Sequence, residues 1–239
     1  MYLSVILPAY NEAKRIAQTL LDIDRYLSRQ NYEYEIIVVD DGSRDNTVKV
    51  SQQMQSVIKN LKVIDNPQNH GKGYVVKQAM LKAKGKYRLF MDADNSTVIG
   101  HLDKFFPWIE KGYQVVIGSI EVKGAKIEER AAWYRRWLGH LAKLLIRAVL
   151  IWGVHDTQRG FKLFSEEVAE AVFPKQTIIR WGFDMEILLI AKKMGYKIKE
   201  VAVDWHNPEG SKVTLSAYFK TLVELFKIRW NSLAGKYKG

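Results

Sequence analysis

"KYRLFMDADNSTVIG", Lys86 to Gly100, opens as a short apolar run and ends in two acidic residues, Asp92 and Asp94, followed at once by polar ones. Two like charges one residue apart are a costly way to finish a buried strand. Residues i and i+2 of a strand share a face about 7 Å apart, which predicts that Asp92 and Asp94 address one target while Ala93 turns away. Two unpaired carboxylates repel, and a divalent cation offsets that most simply: Mg²⁺ or Mn²⁺ takes one or two carboxylates and fills its shell with phosphate oxygens. The competing reading of an Asp-X-Asp is an ordinary solvated turn with an Asx cap. Position in the fold decides between them.

Three runs of the same kind precede this one: "LSVIL" (Leu3–Leu7), "EIIVVD" (Glu35–Asp40) and "LKVID" (Leu61–Asp65). With "YRLFMD" they are short and rich in β-branched residues, as strands buried on both faces of a parallel sheet are. Helical stretches lie between them, over Glu12–Arg29, Asp45–Ile58 and Lys72–Lys84. Strand then helix, repeated, predicts a doubly wound α/β sheet with right-handed crossovers. Ligands of such sheets gather beyond the carboxyl ends of the strands. "PAYNE", "DDGSRDNT", "NPQNHGKG" and "DADNST" all sit there, which favours the metal-holding reading of Asp92 and Asp94.

The second half is predicted to hold a fifth strand (Tyr113–Ser119), a basic and aromatic helical region (Glu128–Val154), and a short strand "FKLF". Then come a helix "RWGFDMEILLIAKKMG" stopped by Gly195, a longer strand "YKIKEVAVDW", and an amphipathic helix from Thr214 to Leu233. The expected organisation is one domain over residues 1–213, with halves 1–119 and 120–213. The basic helical segment 214–239 either belongs to it or associates with a membrane.

A chain of 239 residues with 47% hydrophobic content can bury one substantial core. It has no cysteine, which excludes disulfides, a thiol nucleophile and thiolate-bound metal. The five histidines, His70, His101, His140, His155 and His206, lack ligand spacing, and only His206 is expected near a site. A net charge of +11 points to a polyanionic partner: nucleic acid, an anionic membrane surface or a phosphorylated substrate. No nucleic-acid motif is present, so nucleic acid is set aside. "LAKLLIRAVLIWGV", Leu141–Val154, is interrupted by Lys143 and Arg147 and falls short of the roughly 20 residues that span a bilayer. With an apolar run already open at Leu3, the expectation is a cytoplasmic protein lying peripherally on the cytoplasmic face of a membrane.

Asp40 and Asp41 end the second strand, where a carboxylate can accept from a base N–H or from ribose hydroxyls, beside ordinary turn chemistry. Gly71, Lys72 and Gly73 open a helix whose N–H groups can receive phosphate; Lys72 reads equally as a solvated lysine.

"SVILPAYNEAKRI", "EIIVVDDGSRDNT", "NHGKGYVVKQA" and "FMDADNST" together resemble the consecutive motifs of family 2 glycosyltransferases with the GT-A fold. "DTQRGFKLF", "RWGFDMEILLIA" and "VAVDWHNPEGSKV" are similar to dolichyl-phosphate β-glucosyltransferases and, more distantly, to dolichyl-phosphate mannose synthases. The likeness runs to about Val213. It implies a mixed, mostly parallel sheet and nucleotide-sugar contacts from Pro8, Ala9, Tyr10, Glu12, Asp40, Asp41, Lys72 and Ala93. Asp92 and Asp94 would carry the metal and diphosphate, with Ser96 or a water completing the shell, and Ser211 and Lys212 would close over the diphosphate. Gln158, Arg159 and Lys162 would flank the reacting sugar. Arg135 and Arg136, with Lys162, would meet the acceptor phosphate. Relatives often carry an arginine after the "GS" of the fifth strand; here it is Ile120, which shifts weight onto Arg135, Arg136 or Lys123.

The reaction so implied is inverting: an oxygen of dolichyl or polyprenyl phosphate attacks the anomeric carbon of a nucleotide sugar, with UDP-glucose favoured. A phosphate monoester is largely ionised at neutral pH, its second pKa being about 6, so no strong general base is needed. Asp184 is then expected to orient the donor or pair with Arg180, and leaving-group stabilisation by the metal and Lys212 is the larger effect. Three alternatives stay open: a GDP-mannose donor, a saccharide hydroxyl acceptor with Asp184 as base, and a non-catalytic basic membrane-binding module of the same shape. Trp133, Trp137 and Trp152 suit a bilayer interface, although Leu144–Leu150 also reads as a core helix.

Overall fold

Alternate residues of the central strands fall into two separate cores. Ile6, Ile37, Val39 and Phe90 lie in one; Leu3, Val5, Leu7, Ile36, Val38 and Leu89 lie in the other. A strand buried on both faces needs apolar residues at every position, which is why these runs are continuous rather than alternating. The computed structural model, which describes residues 1–127, 133–206 and 215–238, turns them into one sheet of seven strands.

In chain order the elements are β1 (Leu3–Ala9), α1 (Ile16–Leu27), β2 (Tyr34–Asp41), α2 (Thr47–Met54), β3 (Leu61–Asn66), α3 (Lys72–Lys82), β4 (Tyr87–Met91), α4 (Phe106–Glu110), β5 (Val115–Ser119) and α5 (Trp133–Val149). There follow β6 (Phe161–Ser165), α6 (Glu166–Val172), α7 (Phe183–Lys193), β7 (Ile198–Ala202) and α8 (Leu215–Leu233). The strand order is β3-β2-β1-β4-β6-β5-β7. The first four strands are parallel, and β6 runs antiparallel to both β4 and β5. This is the mixed, mostly parallel sheet expected.

The reversal of β6 matters most for function. Pairing Met91 with Phe161 brings the start of β6, and the residues just before it, to the carboxyl end of β4. The sequence near Gln158 thereby reaches the same edge as the loops after β1, β2, β3 and β4.

Local departures from the sequence reading have local causes. The helix expected from Glu12 begins at Ile16, because the Glu12 carbonyl accepts from the N–H groups of Arg15 and Ile16 and closes a turn first. The long strand expected over Tyr196–Trp205 is regular only over Ile198–Ala202, and Trp205 keeps a single bridge to Ile127. Helix α6 was not anticipated, yet its "SEEV" start carries a Ser165 cap whose hydroxyl accepts from the Val168 N–H, and two acidic residues in its first turn. Gly195 ends α7 as expected, at φ +86°.

Helix α8 lies against α5 and buries Leu225 and Ile228 in the first core. Beyond it, the Tyr237 hydroxyl donates to buried Glu186 at 2.5 Å. Among the described residues no helix is long and apolar enough to cross a membrane.

Candidate active site

A cavity of about 830 Å³ opens at the carboxyl edge of the sheet. Its polar end is built from Tyr10 after β1, Asp41 ending β2, Lys72 opening α3, and Asp92 and Asp94 after β4.

Strand β4 ends at Met91, so Asp92 and Asp94 stand in a loop rather than on one face of a strand. Nor is Asp92 unpaired, as the sequence reading had it: the Lys72 ammonium lies 2.5 Å from its Oδ1. The backbone holds Asp92 as well, through its N–H to the Gly160 carbonyl at 3.0 Å. A Cβ added to Gly160 would collide with both Asp92 carboxylate oxygens, so a glycine is what lets that carboxylate sit against the β6 side of the cleft. Across the loop, the Thr19 hydroxyl donates to the Ala93 carbonyl at 2.9 Å, and Asn95, at φ +57°, turns the chain. Asp94 Oδ1 accepts from the Ser96 N–H at 3.0 Å.

The electrostatics follow from burial and crowding. Burial raises the Asp94 pKa and the neighbouring Asp92 charge raises it further. Burial by itself lowers Lys72, but the carboxylates of Asp92, Asp184 and Asp94 outweigh it and its pKa is raised. Among the described residues no group of three or more His, Asp or Glu side chains is placed to hold a metal. The donor set is therefore two carboxylates in a wide cavity, which fits a hard cation that takes its remaining ligands from a diphosphate.

Asp40 and Asp41 divide their tasks. Asp40 is fully buried, accepts from the Ser43 N–H at 2.7 Å and from its hydroxyl, and does not line the cavity. Asp41 lines it while accepting from the His70 N–H at 2.7 Å and from the Gly71 N–H. Burial raises both pKa values. Asn11 and Glu12 are sewn to the β2 loop through Ser43 and Thr47, and Glu12 is bound by Arg15 at 2.6 Å.

On the other wall stand Gln158, Arg159 and Asp184. The expected Asp184–Arg180 pair is replaced by Asp184–Lys162, at 2.5 Å. Burial raises Asp184 and lowers Lys162, drawing each toward its neutral form despite their mutual attraction. Lys162 is 0% exposed and also donates to the Arg159 carbonyl. It does not line the cavity, so the contact with an acceptor phosphate expected of it is not one this geometry makes.

The sequence model of glycosyl transferase family 2 matches residues 4–173 of the chain. The chain belongs to glycosyl transferase family 2. Among relatives of this family 2 enzyme, dolichyl-phosphate beta-glucosyltransferase of Dictyostelium discoideum is 36% identical over 251 residues, covering 100% of this chain and 77% of the relative. The human protein of the same name is 33% identical over 257 residues, covering 99% of this chain and 77% of its own length. Among solved structures, mannosyl-3-phosphoglycerate synthase from Rubrobacter xylanophilus superimposes with a TM-score of 0.71 at 18% identity, over 99% of this chain and 76% of that one. Glucosyl-3-phosphoglycerate synthase from Mycobacterium tuberculosis, in complex with Mn²⁺, UDP and phosphoglyceric acid, gives 0.66 at 20% identity, over 99% and 78%. The fold is GT-A, as the sequence motifs implied.

In this glycosyltransferase Pro8, Ala9, Tyr10, Glu12, Asp41, Lys72, Asp92, Ala93, Asp94, Gln158, Arg159 and Asp184 all line one cavity. Asp40 and Lys162 lie behind its wall. Lys123 is exposed elsewhere, and it is Trp205, not His206, that reaches the cavity. Ser211 and Lys212 lie outside the described residues, as do the side chains of Trp133, Arg135, Arg136 and Trp137 on α5. Gly160, Asp156, Trp181 and Trp205 were not singled out from the sequence, and Arg180, expected only as a partner of Asp184, lines the cavity in its own right. Gly160 and Trp205 sat in motifs already quoted, but nothing in those motifs says which residue faces a ligand.

Proposed function

We propose that this glycosyltransferase moves a hexose, glucose favoured, from a UDP-sugar to the phosphate of a dolichyl or polyprenyl lipid with inversion. The observation that carries the reading is the shape of the cavity. Its acidic end continues without a wall into a stretch between α5 and α8 lined by Leu145, Ile146, Leu222 and Leu225. A soluble sugar acceptor has no use for that apolar extension, whereas a polyprenyl chain buries there at about 25 cal/mol per Å². The names of the relatives from Dictyostelium and human support glucose as the group moved and dolichyl phosphate as its acceptor.

In this reading Asp92 and Asp94 hold Mg²⁺ or Mn²⁺, which when bound supplies positive charge to the departing diphosphate. Tyr10, Glu12 and Asp41 receive the nucleoside side, and Lys72, Ser211 and Lys212 the diphosphate. Gln158 and Arg159 face the transferring sugar. The acceptor oxygen is ionised before it arrives, and Asp184 is engaged by Lys162, so Asp184 positions the cleft instead of taking a proton. Arg135 and Arg136 remain assigned to the acceptor phosphate, joined by Arg180 at the cavity mouth.

Exposed apolar side chains support a membrane-facing side. Trp152 and Trp230 are each 72% exposed, and Leu144, Val223 and Phe226 are exposed nearby on α5 and α8. Interspersed Arg147 and Lys227 suit anionic head groups.

The test is a panel: UDP-glucose or GDP-mannose, with Mg²⁺ or Mn²⁺, offered polyprenyl phosphate or free saccharides. Label extracted into organic solvent supports the reading, and label confined to an aqueous saccharide product overturns it.

A further inference from the structure

We infer that Trp205 is a positioning residue for Arg159, coupling that guanidinium to the loop that carries Asp94. The inference rests on the reading that Arg159 works at the transferring sugar.

The Arg159 side chain is only 17% exposed, with Nε 3.5 Å from Asp156 Oδ2. That distance is too long for a directed hydrogen bond, and Nε is buried with no hydrogen-bond partner. Orientation therefore depends on something else. The Trp205 ring supplies it, lying 5.0 Å from the guanidinium carbon, where the face of an indole attracts a cation most strongly. With its Nε edge against Asp156 and one face on Trp205, the guanidinium has its two terminal nitrogens left to meet an anionic ligand in the cavity.

Both supports are themselves anchored. Asp156 is 2% exposed and accepts from the Ile120 N–H at 3.2 Å. Its own N–H, with that of His155, donates to Glu200 on β7. Trp205 donates its N–H to the Lys126 carbonyl at 2.9 Å, and the next residue, His206, donates to the Ser96 carbonyl at 3.0 Å. Ser96 in turn caps Asp94 Oδ1. One short segment thus stacks on Arg159 and ties down the Asp94 loop. A shift of either is transmitted to the other, so the sugar side and the diphosphate side keep a fixed spacing.

The test is a double-mutant cycle between Trp205 and Arg159, read with whichever acceptor of the panel the wild type uses. The identity of the acceptor and the coupling are thereby settled separately. Trp205→Leu is expected to lower kcat by about tenfold while leaving UDP affinity, measured by calorimetry, within about twofold. Trp205→Phe keeps an aromatic face and should restore most of the rate. In an Arg159→Ala background Trp205→Leu should cost nothing further. Asp156→Asn, which keeps the shape and removes the charge, gives a second arm should Trp205→Leu fail to fold; it too should lower kcat in wild type and be silent beside Arg159→Ala. Effects that multiply across the cycle, or a Trp205→Phe enzyme as slow as Trp205→Leu, would overturn the inference.

Discussion

Lys162 Nζ lies 2.5 Å from Asp184 Oδ1, and the two side chains are 0% and 4% exposed. The same ammonium donates to the Arg159 carbonyl, so one buried ion pair ties the first turn of α7 to the loop that precedes β6. Removing one partner strands the other: Lys162→Met should destabilise the protein by about 3–5 kcal/mol, and Lys162→Met/Asp184→Leu should recover much of that. Urea unfolding of the two variants checks it. Equal losses in both would mean that the pair is not what holds this region.

Gly160→Ala should separate function from stability. The added methyl meets the Asp92 carboxylate, Cγ included, so that side chain must rotate off its part-exposed pair with Lys72, at a cost to the fold of no more than about 1 kcal/mol. The displaced carboxylate no longer faces Lys72 and the cavity as it did. The expected outcome is a change in stability below about 1 kcal/mol with a fall in kcat of about tenfold or more, read by denaturation and single-turnover kinetics.

Asp94→Ala should reduce transfer by at least about a hundredfold without loss of fold, and should weaken binding of Mn²⁺ in the presence of UDP. The pH profile carries the same signature. Because burial and Asp92 raise the Asp94 pKa, the protonated, non-binding form persists to higher pH than in a free aspartate. The acid limb of kcat/KM should therefore lie above the ordinary aspartate value of about 3.9. Wild-type turnover by Asp94→Ala would remove the metal assignment.

Far from the cavity, Glu35 offers a test of linkage. Burial alone would raise its pKa, but hydrogen bonds from Lys62, Ser4 and the Lys84 N–H prevail and the pKa is lowered. A depressed carboxylate stabilises the fold fully above its unfolded pKa, about 4.3, and ceases to do so as pH falls through the folded value. Glu35→Gln should then cost about 1–3 kcal/mol at pH 7. That gap should close toward pH 3. Guanidinium titrations at the two pH values decide it.

Leu145→Glu and Leu222→Glu place a charge in the apolar end of the cavity, away from Asp92 and Asp94. Each is expected to lower transfer to polyprenyl phosphate by about tenfold or more, with UDP affinity unchanged. A matching loss of UDP binding would show that the two ends of the cavity do not act separately.

The legible parts of the sequence were those governed by near neighbours. Short, β-branched runs such as Glu35–Asp40, each followed by residues suited to a tight turn, read as strands buried on both faces. The strand-helix alternation, the carboxyl-edge site and the gathering of Tyr10, Asp41, Lys72, Asp92 and Asp94 all follow from that. Gly195 stops α7 for an equally local reason, a positive φ.

What only the tertiary structure decided is who pairs with whom across long stretches of chain. Lys72 meets Asp92 over 20 residues and Lys162 meets Asp184 over 22, while Thr19 reaches Ala93 over 74. Hydrophobic periodicity records which face of an element is buried; it carries no information on strand order or direction. The antiparallel turn of β6 is such a choice, and it converts Gly160 from a loop residue into the floor beneath Asp92. The sequence by itself determined that this chain gathers its polar clusters at the carboxyl ends of its strands. The packing of β6, α7 and the Trp205 segment decided which charges there are paired and which face the ligand, because burial and distance, not residue type, set the cost of leaving a charge alone.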